Sequence, residues 1–138
     1  MTEQVKQDAQ VSELPDLTKL LSDFPDSPDQ NLVEQWKQEF GEVFCSGFAD
    51  DELFVWRPLS RGEYVDIQKT LRTPPGEGQE PMNEYDMEEL VVSKCVLWGS
   101  KPSCLQRKAG AISTISEQVM MNSNFMPTQM AAALVIKL

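Results

Sequence analysis

Residues 53–67 read Leu-Phe-Val-Trp-Arg-Pro-Leu-Ser-Arg-Gly-Glu-Tyr-Val-Asp-Ile, a run that admits few local structures. The large apolar residues Leu53, Phe54, Val55 and Trp56 have strand character. Pro58 has no amide hydrogen to give to a ladder, so the strand stops there or lies along an edge. Just beyond, Ser60 and Glu63 match the S-x-x-E pattern. The serine hydroxyl can accept from the amide of Glu63, and the carboxylate can reach back to the amide of Ser60. Leu59 is placed for a hydrophobic staple on Tyr64, and Tyr64, Ile67 and Leu71 continue one buried stripe. The chain therefore passes from a strand through a proline corner straight into a capped helix.

The flanking segments supply packing partners. Residues 31–40 predict a helix with Leu32, Trp36 and Phe40 on one face and Gly41 as its C-cap. Residues 42–48 alternate loosely, with Val43, Cys45 and Gly47 on one side and Phe44 and Phe48 on the other. A polar turn at 49–52 then joins this strand to 53–56, so a β-hairpin is expected. Residues 73–81, rich in proline and glycine, form a loop. A helix over 83–98 presents Met87, Leu90, Val91, Cys95 and Trp98, and ends at Gly99. A loop over 100–108 leads to a helix over 109–121, with Ile112, Ile115, Val119 and Met120 facing inward. Residues 128–138 predict an apolar terminal helix. The expected fold is α+β, a short β-hairpin packed against several helices.

Residues 1–29 form an acidic N-terminal tail ahead of a single α+β domain at 30–138. The tail is rich in Asp, Glu, Gln, Ser and Pro, a composition poor in groups that offset ordering entropy. Within it Leu17, Leu20, Leu21 and Phe24 fall at i, i+3, i+4 and i+7, one stripe of a short helix. Pro15 and Asp16 suit its first turn and Pro25 ends it. The stripe has two readings of equal standing: it packs on its own domain, or it enters a groove on a partner.

The chemistry of the chain is restricted. Its 138 residues carry a net charge of −10, which opposes general attraction to nucleic-acid phosphates. Local basic groups are Arg57 with Arg61, and Lys101 with Arg107 and Lys108. Histidine is absent, and with it the commonest general base and metal ligand. Cys45, Cys95 and Cys104 lack zinc-ligand spacing, and no cofactor or metal is expected. Their odd number and the lack of a signal-peptide pattern favour reduced thiols in the cytosol. Cys45 reads as a strand residue and Cys95 as a helix residue. The longest apolar run, 130–136, is too short to span a membrane.

Carboxylates at Asp50, Asp51 and Glu52 and at Glu84, Asp86, Glu88 and Glu89 read as turns and solvated faces. Gly76-Glu77-Gly78 lacks the context and the lysine of a phosphate loop. Ser113, Ser116 and Cys104 have no evident base. Arg57 can tie down a carboxylate such as Glu63, or, with Arg61 and Trp56, anchor an interface. Trp36 and Trp56 are expected in the core and Trp98 at an exposed helix end. The cluster Met120, Met121, Phe125, Met126 and Met130 is either core filling or an adaptable apolar surface. The candidate partner-binding residues are Leu17, Leu20, Leu21, Phe24, Trp56, Arg57 and Arg61.

The pattern Trp36-Lys37-x-x-Phe40-Gly41-x-Val43-Phe44, followed by Leu53-Phe54-Val55-Trp56-Arg57-Pro58-Leu59-Ser60-Arg61-x-Glu63-Tyr64, resembles small tail proteins of contractile-tailed bacteriophages. These include tail assembly chaperones and baseplate-associated subunits. In them a short helix leads into a hairpin, an Arg-Pro-Leu-Ser/Thr-Arg-x-Glu-Tyr turn and a helical C-terminal half. The segments 92–98 and 109–121 are similar in layout, and the resemblance spans residues 31–125. It implies a non-enzymatic tail or baseplate protein in the virion, with other tail or baseplate proteins as partners and no small-molecule substrate. An alternative from the same setting is a tail assembly chaperone of the host cytoplasm, absent from the finished particle. A small hydrolase or transferase is the reading from a different class.

Overall fold

The computed structural model describes residues 17–138. Among them, helices and strands follow in the order α1 (Leu17–Ser22), α2 (Gln30–Phe40), β1 (Phe44–Ala49), β2 (Glu52–Trp56), α3 (Arg61–Arg72), α4 (Glu84–Cys95), β3 (Val96–Gly99), α5 (Cys104–Arg107), α6 (Ala111–Asn122) and α7 (Thr128–Ala133). The class is α+β, as expected. Pro15 and Asp16, expected in the first turn of α1, lie outside the described residues, as does the side chain of Leu17.

The expected hairpin is β1–β2, antiparallel, with Phe44 opposite Trp56 and Ser46 opposite Phe54. A third strand was not expected. Residues 96–99 leave α4 at Cys95 and pair antiparallel with β2, Phe54 opposite Gly99 and Val55 opposite Trp98. The sheet order is β1-β2-β3, so β2 is central. This corrects the single helix read over 83–98. Val96, Leu97 and Trp98 continue the apolar run of α4 without a break, and a short apolar run fits either period. The need of β2 for a second hydrogen-bonding neighbour decides the matter. Every residue of β2 is buried, and a buried strand cannot leave one backbone edge unpaired.

Period-two alternation divides the sheet into two faces. On one, Phe44 stacks on Trp56 with ring centroids 4.7 Å apart, and Phe48 meets Phe54 edge-on. Ser46 links this face to α6: its hydroxyl accepts from the Trp56 indole at 2.7 Å and donates to Gln118. The core gathers here, with Phe54, Trp56, Leu59, Ile67, Val91, Cys95, Ile115 and Val119 in contact. Each large side chain so buried contributes on the order of 1.5–3 kcal/mol. The other face carries Cys45, Val55 and Trp98, and the N-terminal elements pack on it.

Close fit fixes the end of β3. A Cβ on Gly99 would lie 2.8 Å from the Phe54 ring, so only glycine lets the strands approach. Ser100 then ties both ends of the β1–β2 turn. Its hydroxyl accepts from the amide of Leu53 at 2.8 Å and donates to the carbonyl of Asp51 at 2.7 Å.

The remaining helices start and stop for local reasons. Asp29 caps α2 through the amide of Leu32 at 2.8 Å, and Gly41, at φ 89°, closes it. The stripe on α2 is shallower than expected: Trp36 and Phe40 are half-buried and Leu32 is exposed. Asn83 and Asp86 form a second capping box at the start of α4. A single helical turn, α5, interrupts the loop expected over 100–108. The helix expected over 128–138 is only α7, after which residues 134–138 have no regular structure.

Candidate protein-interaction surfaces

The proline corner is built as its sequence requires. Ser60 accepts from the amide of Glu63 at 3.2 Å, and the amide of Ser60 donates to the Glu63 carboxylate at 3.0 Å. The same carboxylate receives a two-pronged pair from Arg57, one prong at 2.8 Å. Arg57 also donates to the carbonyl of Pro58 and lies over the Phe40 ring, 4.5 Å from its centroid. A single carboxylate thus caps α3 and neutralises an arginine that is 7% exposed. The Arg57 guanidinium holds the Glu63 carboxyl down at about 2. The amide of Leu59 donates to the Ser123 hydroxyl at 2.8 Å, which fastens the corner to the end of α6.

These positions settle how far the expected contact residues are available. Trp56 is 3% exposed and Arg57 is interior, so neither offers appreciable surface to a partner. Arg61 is exposed and its guanidinium lies 5.7 Å from the Tyr64 ring centroid. It borders a recess of about 280 Å³ with Leu59, Ser60, Tyr64, Ser123 and Phe125. Leu59 and Tyr64, the residues of the expected staple, both line this recess. The ring centroids of Tyr64 and Phe125 are 4.8 Å apart.

The other basic group is largely paired. Lys108 meets Glu52 at 2.6 Å and Lys101 meets Asp51 at 3.3 Å. Glu52 is buried, so Lys108 keeps its charge compensated. Among the carboxylates of α4, Glu88 accepts from the Ser113 hydroxyl at 2.6 Å and so links α4 to α6. Burial pushes the Cys45 and Cys95 thiols up to about 11, which disfavours the nucleophilic thiolate. Among the described residues, no group of three or more Cys, Asp and Glu side chains is placed to hold a metal ion.

The apolar stripe of α1 turns toward its own domain. Leu20, Leu21 and Phe24 are half-buried, and Phe24 meets Trp98 edge-on at 6.0 Å. Trp98, expected at an exposed helix end, is therefore a half-buried strand residue. Between α1, α2 and the start of β1 runs an open groove of about 870 Å³. Leu21, Pro25, Val33, Val43, Cys45 and Val55 line it, with Asp29, Glu34 and Lys37 also in its walls.

Among the described residues, most of the exposed large apolar side chains lie at the other end of the chain. Met121, Phe125, Met126 and Met130 are all exposed, whereas Met120 packs on the core. Beyond α7, which has no buried residue, Leu134 is 65% exposed, Val135 75% and Ile136 79%. Asn124, at φ 69°, turns the chain out of α6. The sequence carries a signal for this surface: no Asp or Glu occurs after Glu117. The side chain of Leu17 lies outside the described residues, and the other six contact residues expected from sequence do not form one surface. Leu21 and Phe24 lie near the sheet residues Val55 and Trp98, Leu20 is half-buried, Trp56 and Arg57 lie inside, and Arg61 stands beside Phe125.

Comparison of the chain with family models, with curated proteins and with solved structures gives no match.

Proposed function

We propose that this chain is a non-enzymatic component of contractile-phage tail or baseplate assembly that works by binding other tail proteins. The observation that carries the binding role is the apolar surface running from Met121 to the exposed residues Leu134, Val135 and Ile136. Exposed apolar side chains scattered singly need no explanation, but a succession of them marks a contact site. Methionines in that succession adapt to the shape of what they meet. The tail setting is supported by the resemblance of residues 36–44 and 53–64. Since Trp56 and Arg57 are interior, the contact runs along residues 121–138, with Arg61 at its near end.

The test is co-purification from cells that express the neighbouring genes. With Met126→Asp and Met130→Asp together, the amount of partner retained falls at least about tenfold, as for loss of a central apolar anchor. The melting curve stays that of the unaltered chain, because both side chains are outside the core. Retention at the unaltered level would sink the reading. Mass spectrometry of purified particles then separates a structural subunit, which is present, from a chaperone, which is absent.

A further inference from the structure

We infer that the apolar C-terminal segment is received by a second copy of this chain, in the groove between α1, α2 and β1. The inference rests on the reading of residues 121–138 as a contact surface and assigns its last part, residues 134–138, to a second copy, which leaves Met121, Phe125, Met126 and Met130 to other tail proteins. Three observations favour this occupant.

The first is backbone chemistry. β1 is an outer strand, and among the described residues only β2 pairs with it. An open strand edge is a template for one more strand. Residues 134–138 have no regular structure, and among the described residues no backbone hydrogen bond reaches Ile136, Lys137 or Leu138. Val135 and Ile136 are β-branched, the residue type that sits well in a strand.

The second is side-chain fit. In an extended segment Leu134, Ile136 and Leu138 point one way and Val135 and Lys137 the other. An apolar triplet thus enters the groove while Lys137 stays wet. A volume of about 870 Å³ takes several aliphatic side chains, and the floor of Cys45 and Val55 is apolar.

The third is charge. The chain as a whole carries −10, so most of its surface repels a second copy. The stretch after Glu117 has Lys137 as its charged side chain and no acidic one. It is the part of the molecule that an acidic copy accepts with least repulsion. Because each copy would give a segment and receive one, two copies that exchange segments close as a dimer, and copies that pass theirs onward build rings or open chains.

Sedimentation analysis of the full chain tests this through complementation. The expected result is an average mass above that of a monomer that rises with concentration. Ile136→Asp spoils the segment and Val33→Asp spoils the groove; each alone weakens association at least about tenfold. Mixing the two variants restores a one-to-one dimer, because one copy keeps an intact groove and the other an intact segment. Val43→Asp replaces Val33→Asp should circular dichroism show that α2 has unfolded. A chain that stays monomeric up to about 100 μM, where even small interfaces are populated, overturns the inference. So does association that survives both substitutions, or a mixture that restores nothing. If the chain is monomeric yet Met126→Asp with Met130→Asp still loses the neighbouring gene products, only the second-copy inference falls. If complementation succeeds but no tail protein co-purifies, only the phage reading falls.

Discussion

The proline corner at residues 53–64 and the segment at 121–138 are both rich in large apolar side chains, yet they end in opposite surroundings. In the corner, apolar residues come with their polar complement. Arg57, Ser60 and Glu63 satisfy one another, Ser123 takes the free amide of Leu59, and Trp56 finds Ser46. In the C-terminal segment no charged partner is interleaved before Lys137, and the helix α7 is too short to bury a face. A group goes inside when its neighbours leave nothing unsatisfied. The corner meets that condition within its own chain at every buried side-chain polar atom but Arg57 Nε, which has no hydrogen-bond partner, whereas the segment stays exposed.

The largest effect should come from breaking the corner. Arg57→Ala removes the partner of a carboxylate and opens a space beside Phe40. We expect a loss of about 3 kcal/mol, toward the low end for a broken buried pair because Glu63 keeps some contact with water. The pH dependence sharpens this. The Glu63 carboxyl is held at about 2 in the folded chain against an ordinary 4.5. Its contribution is therefore complete above about pH 4.5 and is lost as the pH falls toward 2. Chemical denaturation of the unaltered chain and Glu63→Gln across that window should show a gap that narrows on acidification. A gap constant with pH would remove the ion pair from the account.

A smaller loss, about 2 kcal/mol, is expected for Gly99→Ala, which drives a methyl group into the Phe54 ring and loosens β3 from β2. Phe24→Ala should cost about 1 kcal/mol, the scale of one edge-on aromatic pair with its buried area. Hydrogen exchange at Leu20, Leu21 and Phe24 should rise with it while exchange in β2 stays slow. Rapid exchange of α1 in the unaltered chain would show that the helix is not held by Trp98. The substitution of Leu20 and Leu21 by Asp does not separate the two: both side chains are half-buried, so it lowers stability as well as any partner contact.

The features legible in the sequence were those with short-range causes. The capping box, the strand stop at Pro58, the Gly41 cap and the Arg57–Glu63 pair all involve residues within a few positions of one another. The hairpin was legible because its two strands are joined by a short turn. β3 was not, because its pairing with β2 spans 40 to 45 residues and its apolar run merges with α4. The extent of the terminal helix was misjudged for a related reason. Ala131, Ala132 and Ala133 favour a helix, but among the described residues the side chains that follow are left exposed. For the candidate site, the Met-rich cluster, read as core filling or as an adaptable surface, is exposed at Met121, Phe125, Met126 and Met130 and packed on the core at Met120. Trp56 and Arg57, candidates for the contact, are interior: the residue types that anchor interfaces also anchor cores. Only long-range contacts, with Phe44, Ser46 and Phe40, decide between the two.

The smallest stability effect should belong to the position with the largest effect on association. Ile136 is 79% exposed, so Ile136→Asp removes little buried surface and leaves no polar group unmatched. Surface changes of that kind stay within about 0.5 kcal/mol. The same substitution places a charge where an apolar side chain must lose its water to bind. The contrast with Arg57→Ala is then complete: the corner variant loses stability first and association only as a consequence, whereas the Ile136 variant loses association with the fold intact. Measuring the melting temperature and the sedimentation mass of both variants side by side tests that separation. If Ile136→Asp lowers the melting temperature as much as Arg57→Ala does, the C-terminal segment is part of the core and the two regions are not opposites.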